Sequence, residues 1–186
     1  GIGDSVEGNL ISGNNGWNGL WIDGSNSNYN IVAGNRIGTD VTGTLPLANR
    51  GMGVEIKNGA SYNLIGTNAD GVSDSLERNV ISANLTHGIW IWQQDGGPLP
   101  TDNVVAGNFI GTDITGTLDL GNASHGVLIA AGSTSNIIGT NGDGVGDAFE
   151  GNLISGNNAH GIEINGVGTS LNRVAGNYIG TDVTGE

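Results

Sequence analysis

The chain has 186 residues, 36 of them Gly and 25 Asn, with no Cys and a net charge of −13. Five Lys and Arg residues cannot neutralise a phosphate backbone or an anionic bilayer surface, so nucleic acid and membrane surface are poor partners. No apolar run approaches the ~20 residues of a membrane span, the 36% hydrophobic content suits one packed domain, and absent cysteines leave the redox compartment open.

Read in chain order, the sequence repeats itself. GNLISGNN at 8–15 is followed by GLWI at 19 and NIVAGNRIGTDVTG at 30–43. GVEI at 53 and Asn63/Ile65 come next, then RNVISAN at 78–84 and GIWI at 88. NVVAGNFIGTDITG at 103–116, GVLI at 126, GNLISGNN at 151–158, GIEI at 161 and NRVAGNYIGTDVTG at 172–185 complete the series. The Gly-x-x-Ile elements are spaced by 34, 35, 38 and 35 residues inside a larger repeat of 69 to 73. Such periods point to a repeat architecture.

Each unit contains three short extended pieces. Gly-x-x-Ile is the first, Asn-x-Val/Ile the second (Asn30/Val32, Asn63/Ile65, Asn103/Val105, Asn136/Ile138, Asn172/Val174). Another Asn-x-Ile is the third (Asn9/Ile11, Asn35/Ile37, Asn79/Ile81, Asn108/Ile110, Asn152/Ile154, Asn177/Ile179). Residues two apart share a strand face, and Gly and Asn at this density oppose helix. The expected fold is therefore an all-β right-handed solenoid, a parallel β-helix with three short strands per coil and about five coils. Both Asn rows are expected to form structural ladders at the bends. Asn84-Leu-Thr86 and Asn122-Ala-Ser124 match the glycosylation pattern, as chance alone would produce among so many Asn.

Two coil types alternate. One carries its insertion after the third strand, GTDVTGTLPLANRGM after Ile37 and GTDITGTLDLGNASH after Ile110. The other carries it between the second and third strands, GTNADGVSDSLER after Ile65 and GTNGDGVGDAFEG after Ile138, with a partial copy at 1–9 where Asp4 and Glu7 match Asp147 and Glu150. One segment is expected over 1–186, with large repeats at roughly 1–70, 71–143 and 144–186. Neither end shows a polar cap, so the segment is expected to belong to a longer array or to meet neighbours end to end.

The repeat pattern resembles the right-handed parallel β-helix proteins of the pectin-lyase-like superfamily, with PbH1-type repeats. It looks like the long arrays of bacterial secreted and cell-surface proteins, across the whole chain. The resemblance implies an extracellular location and is specific for fold rather than activity, since this fold hosts lyases, hydrolases, adhesins and inert stalks.

Three features carry candidate chemistry. Asn68, Asp70, Asp74 and Glu77, and again Asn141, Asp143, Asp147 and Glu150, supply oxygens at positions three, five, nine and twelve of an EF-hand-type loop. Position one is Gly66 or Gly139, where Asp is expected. Structural calcium, pinning each insertion to the coil beneath, is the functional reading, and a metal-free Asp/Gly turn the plainer one. On the outward face of the first strand, Trp21, Glu55, Trp90, Leu128 and Glu163 succeed one another. At about 4.8 Å per rung, Trp21 and Trp90 lie roughly 10 Å apart around Glu55. With Trp92 close by they form the candidate carbohydrate contact; packing beneath Leu45, Leu47, Leu118 and Leu120 of the insertions is the alternative. His87, His125 and His160 each precede a first-strand Gly and would stack into a row, either of turn residues or with metal-ligand spacing.

No residue is assigned a catalytic role. Glu55 and Glu163 are three rungs, about 14 Å, apart, beyond the ~5–10 Å of a glycosidase pair. Lys57 is the only Lys, and the Asp clusters and Arg-Ile-Lys element of the polygalacturonase branch are missing. The expected function is a structural or adhesive segment of an extracellular bacterial surface protein or filament, with calcium and weak glycan binding. A polysaccharide lyase or hydrolase working on the Trp face is the alternative. Ile31, Leu64, Val104 and Ile137 form an apolar outward stripe on the second strand, which either a loop covers or a second chain meets side to side.

Overall fold

A computed structural model describes residues 7–186. Sixteen short strands form three parallel sheets. The first-strand sheet runs β2 (Leu20–Asp23), β5 (Val54–Lys57), β8 (Ile89–Trp92), β11 (Val127–Ile129), β14 (Ile162–Ile164). The second-strand sheet runs β3 (Ile31–Val32), β6 (Leu64–Gly66), β9 (Val104–Ala106), β12 (Ile137–Gly139), β15 (Arg173–Ala175). The third-strand sheet runs β1 (Leu10–Ile11), β4 (Arg36–Ile37), β7 (Val80–Ile81), β10 (Phe109–Ile110), β13 (Leu153–Ile154), β16 (Tyr178–Ile179). Each strand pairs with its equivalent one coil away, so the chain is a right-handed β-solenoid of five coils plus the leading β1.

The alternation of each strand decides its inward face. Ile22, Ile56, Ile91 and Ile129 stack on one wall, Val32, Ile65, Val105 and Ile138 on the second, Ile37, Ile81, Ile110 and Ile154 on the third, all buried. β-Branched side chains suit this because they lose little rotamer freedom when stacked on a pleated surface.

Asparagine closes the corners. In the third-strand ladder, the backbone N–H and Nδ2 of Asn35 both donate to Oδ1 of Asn79 at 2.9 Å, and Asn108 repeats the pattern onto Asn152. The second Nδ2 proton goes to a main-chain carbonyl, as from Asn79 to Val32 at 2.8 Å. In the inner rungs Asn35, Asn79, Asn108 and Asn152 both amide protons are thereby used in a corner that excludes water. The second-strand ladder runs Asn30, Asn63, Asn103, Asn136, Asn172 in the same manner.

A third ladder joins Asn14, Asn49, Asn84, Asn122 and Asn157. Asn84 and Asn122 are fully buried within it, which removes both glycosylation matches. The Gly of each Gly-x-x-Ile lies against this ladder: a Cβ on Gly88 would stand 2.7 Å from the Gly126 carbonyl oxygen and 2.9 Å from Nδ2 of Asn122.

The insertions stack on one another across the intervening coil. Ile114 N–H donates to the Gly43 carbonyl at 3.0 Å and Val183 N–H to that of Gly116 at 3.2 Å. In the other coil type Gly146 packs on Ala69. One helical turn, α1 (Asp147–Glu150), departs from the helix-free expectation; a four-residue turn needs no helical periodicity to form. Asp4 lies outside the described residues.

Candidate functional site

The sequence IWIW of β8 turns Ile89 and Ile91 into the core and Trp90 and Trp92 outward. Register then builds two outward rows. Trp21, Glu55, Trp90, Leu128 and Glu163 are the first, and Asp23, Lys57 and Trp92 the second.

Within this face Glu55 is only 5% exposed. Its Oε1 accepts the indole N–H of Trp92 at 2.6 Å and its Oε2 the amide of Asn18 at 2.7 Å. Lys57 places Nζ 4.5 Å from the Trp21 ring centre and 5.5 Å from that of Trp92, and donates to Oε1 of Gln94 at 3.0 Å. Trp90 stacks on Trp92 at 4.3 Å with planes 11° apart. Three of the four expected carbohydrate residues, Glu55, Trp90 and Trp92, are thus joined to one another by packing and hydrogen bonding.

Trp21 differs. It is 58% exposed and borders an open concavity of about 510 Å3 lined also by Ile22, Asp23, Asn26, Ser27 and Asn30. The insertions do not bury it, and Leu45, Leu47 and Leu118 are themselves exposed. A flat aromatic face beside carboxylate, amide and hydroxyl groups matches what a sugar ring offers, apolar C–H faces edged by hydroxyls. Asp23, Asn26 and Ser27 were not among the sequence candidates. Asp23 was signalled by lying two residues after Trp21 on the same strand face.

The histidines stack as a column: His87 to His125 at 5.0 Å and 7°, His125 to His160 at 5.2 Å and 19°. Nδ1 of His87 accepts the backbone N–H of His125 at 3.4 Å, and Nδ1 of His125 that of His160 at 3.2 Å. An accepting Nδ1 places the neutral ring's proton on Nε2, and Nε2 of His125 lies 3.1 Å from Glu163. Among the described residues, His125, His160 and Glu163 are the one cluster of three such side chains with ligand atoms within 4.8 Å. Coordination through Nε2 of His125 would move its proton to Nδ1, against the His160 N–H, whereas metal-bound imidazoles normally donate from the second nitrogen. The column is built as an inter-coil clasp. Burial first, and the neighbouring His125 second, press the His87 pKa down to about 4, against the opposing pull of Glu163.

In the two insertions the acids accept hydrogen bonds from their own loops. Glu77 is 1% exposed and its Oε2 accepts the Thr67 hydroxyl at 2.8 Å and the Asn68 N–H at 2.9 Å. Glu150 likewise accepts the Asn141 N–H at 2.9 Å. Asp70 and Asp143 cap their own loops through the N–H of Val72 and Val145, and Asp74 accepts the Gly71 N–H at 3.2 Å. Asp147 begins α1, with one buried oxygen lacking a partner among the described residues. Gly66, at the loop position where Asp was expected, has φ 113°. A Cβ there would overlap the Ala106 carbonyl.

Compared with known proteins, the chain matches no family model, no curated sequence and no solved structure.

Proposed function

We propose that this chain is a structural, adhesive solenoid segment of an extracellular bacterial surface protein or filament, which meets carbohydrate at Trp21. The observation that carries the reading is the exposed Trp21 ring beside Asp23, Asn26, Ser27 and Asn30 in one concavity. Kinship with the pectin-lyase-like superfamily belongs to the same proposal, on the repeat pattern alone.

Binding rather than catalysis is favoured by Glu55. Both of its oxygens hold protein donors, so Glu55 itself offers neither a free general acid nor a free nucleophile. The test is a glycan array with the intact protein and Trp21→Ala. Glycan-dependent retention lost in the variant, with no release of reducing or unsaturated ends, is the expected result. Release of such ends would establish the enzyme reading instead, and equal retention by both proteins would remove the site.

A further inference from the structure

We propose that a cleft on the third-strand sheet, unrelated to the Trp21 face, binds a compact oxyanion carried on a ring-sized body, through Arg36 and Arg78. The cleft encloses about 250 Å3, and Ser75, Asn35, Leu76, Val80 and Ile114 complete its working wall. Two of the chain's four Arg side chains line this one depression in a protein of net charge −13.

Both residues break the repeat. Arg78 occupies the position directly before a ladder Asn, where the other five coils have Gly8, Gly34, Gly107, Gly151 and Gly176. Arg36 occupies an outward row whose other members are Leu10, Val80, Phe109, Leu153 and Tyr178. A solenoid that repeats for structural reasons has no need of either departure, and departures that converge on one cleft mark a site.

The electrostatics point the same way. Among the described residues neither guanidinium has a carboxylate within ion-pair distance. Arg78 lies over the Phe109 ring at 4.1 Å and donates Nε–H to the Gly107 carbonyl at 3.1 Å, which fixes its plane and leaves its two terminal NH2 groups unused. Nε of Arg36 is buried with no hydrogen-bond partner. A buried, unpaired N–H on a cation is costly, and among the described residues no protein acceptor offsets that cost for Arg36. Guanidinium forks match carboxylate, sulfate and phosphate oxygens two at a time. The apolar patch of Leu76, Val80 and Ile114 beside them provides contact for a ring rather than a bare ion.

The test is titration of the intact protein with glucuronate, glucose 6-sulfate, inorganic sulfate and, as the neutral control, glucose, followed by calorimetry and amide chemical shifts around Ser75 and Arg78. The expected result is binding of both sugar acids, weakened by salt, with glucose inert. Arg36→Met is expected to weaken binding tenfold or more while the melting temperature holds. Arg78→Met, checked for folding by circular dichroism, is the second variant. No binding by any anion, or unchanged binding in both folded variants, overturns the site. Equal affinity for bare sulfate and the sugar acids overturns the ring-sized ligand.

Discussion

The indole N–H of Trp92 donates to the carboxylate of Glu55, one coil below, at 2.6 Å. That bond joins two residues that the sequence places 37 positions apart, and it braces adjoining coils. Trp92→Phe preserves the stack on Trp90 but strips the donor from a carboxylate that is 5% exposed. The expected loss is about 2 kcal/mol, read from chemical denaturation. Trp21→Phe, on an exposed ring, is expected to change stability by less than about 0.5 kcal/mol.

Glu77 fastens its insertion. Replacing it by Ala leaves the buried Thr67 hydroxyl and the partly buried Asn68 N–H without their acceptor. A loss of about 3 kcal/mol is expected, since hydrogen bonds to charged groups sit at the strong end of the range. Because Asp70, Glu77, Asp143 and Glu150 already hold protein donors, chelator is expected to leave the melting temperature of the wild type unchanged. A fall on adding EDTA, restored by calcium, would return the fastening to a metal ion.

The histidine column makes stability depend on acid. His87 has its folded pKa lowered from 6.5 to about 4, so between those values the unfolded chain binds more protons than the folded one. Its contribution is therefore present above pH 6.5 and is lost as pH falls through 4. The ring is partly exposed, so solvent screening reduces the effect to on the order of 1 kcal/mol. His87→Asn is expected to flatten the melting-temperature profile between pH 6.5 and 4, and an unaltered slope would dismiss the column as its source.

Asn84 accepts from Asn49 and donates to Asn122 in the middle of the third ladder, at 2.9 Å on each side. Asn84→Ala breaks a buried network and is expected to cost about 2–4 kcal/mol, whereas the exposed Asn158→Ala is expected to cost almost nothing. Expression in a glycosylating host is expected to leave Asn84 and Asn122 at unmodified mass, because neither amide is accessible.

Before each second strand the backbone turns left-handed at Tyr29, Tyr62, Asp102, Ser135 and Leu171, with φ between 55° and 59°. Leu171 is 82% exposed and gains little packing there. Leu has a left-handed cost of about 1–2 kcal/mol that Asn largely avoids, so Leu171→Asn is expected to raise stability by about 0.5–1 kcal/mol in denaturant titration.

By itself, the sequence determined the coil. A two-residue strand period, Gly at each corner and Asn before each β-branched residue leave little choice but stacked parallel strands. The register of Trp21, Glu55 and Trp90 followed at once, since one coil length separates them.

The third ladder was harder to read because its Asn follows the third strand by 3 residues in one coil type and by 12 in the other (Asn14 and Asn84, against Asn49 and Asn122). Counting forward to the next Gly-x-x-Ile would have aligned them. Which polar groups already hold partners, by contrast, depends on the coiled structure. Glu55, Glu77 and Asn84 look like free ligands in one dimension, but their partners come from neighbouring coils or from the far end of a loop. Arg36 and Arg78 are 42 positions apart and share a cleft only because coiling sets one rung beside the next. Hydrogen-bond satisfaction depends on proximity in space, and in a solenoid that proximity is set by coil length, insertions included.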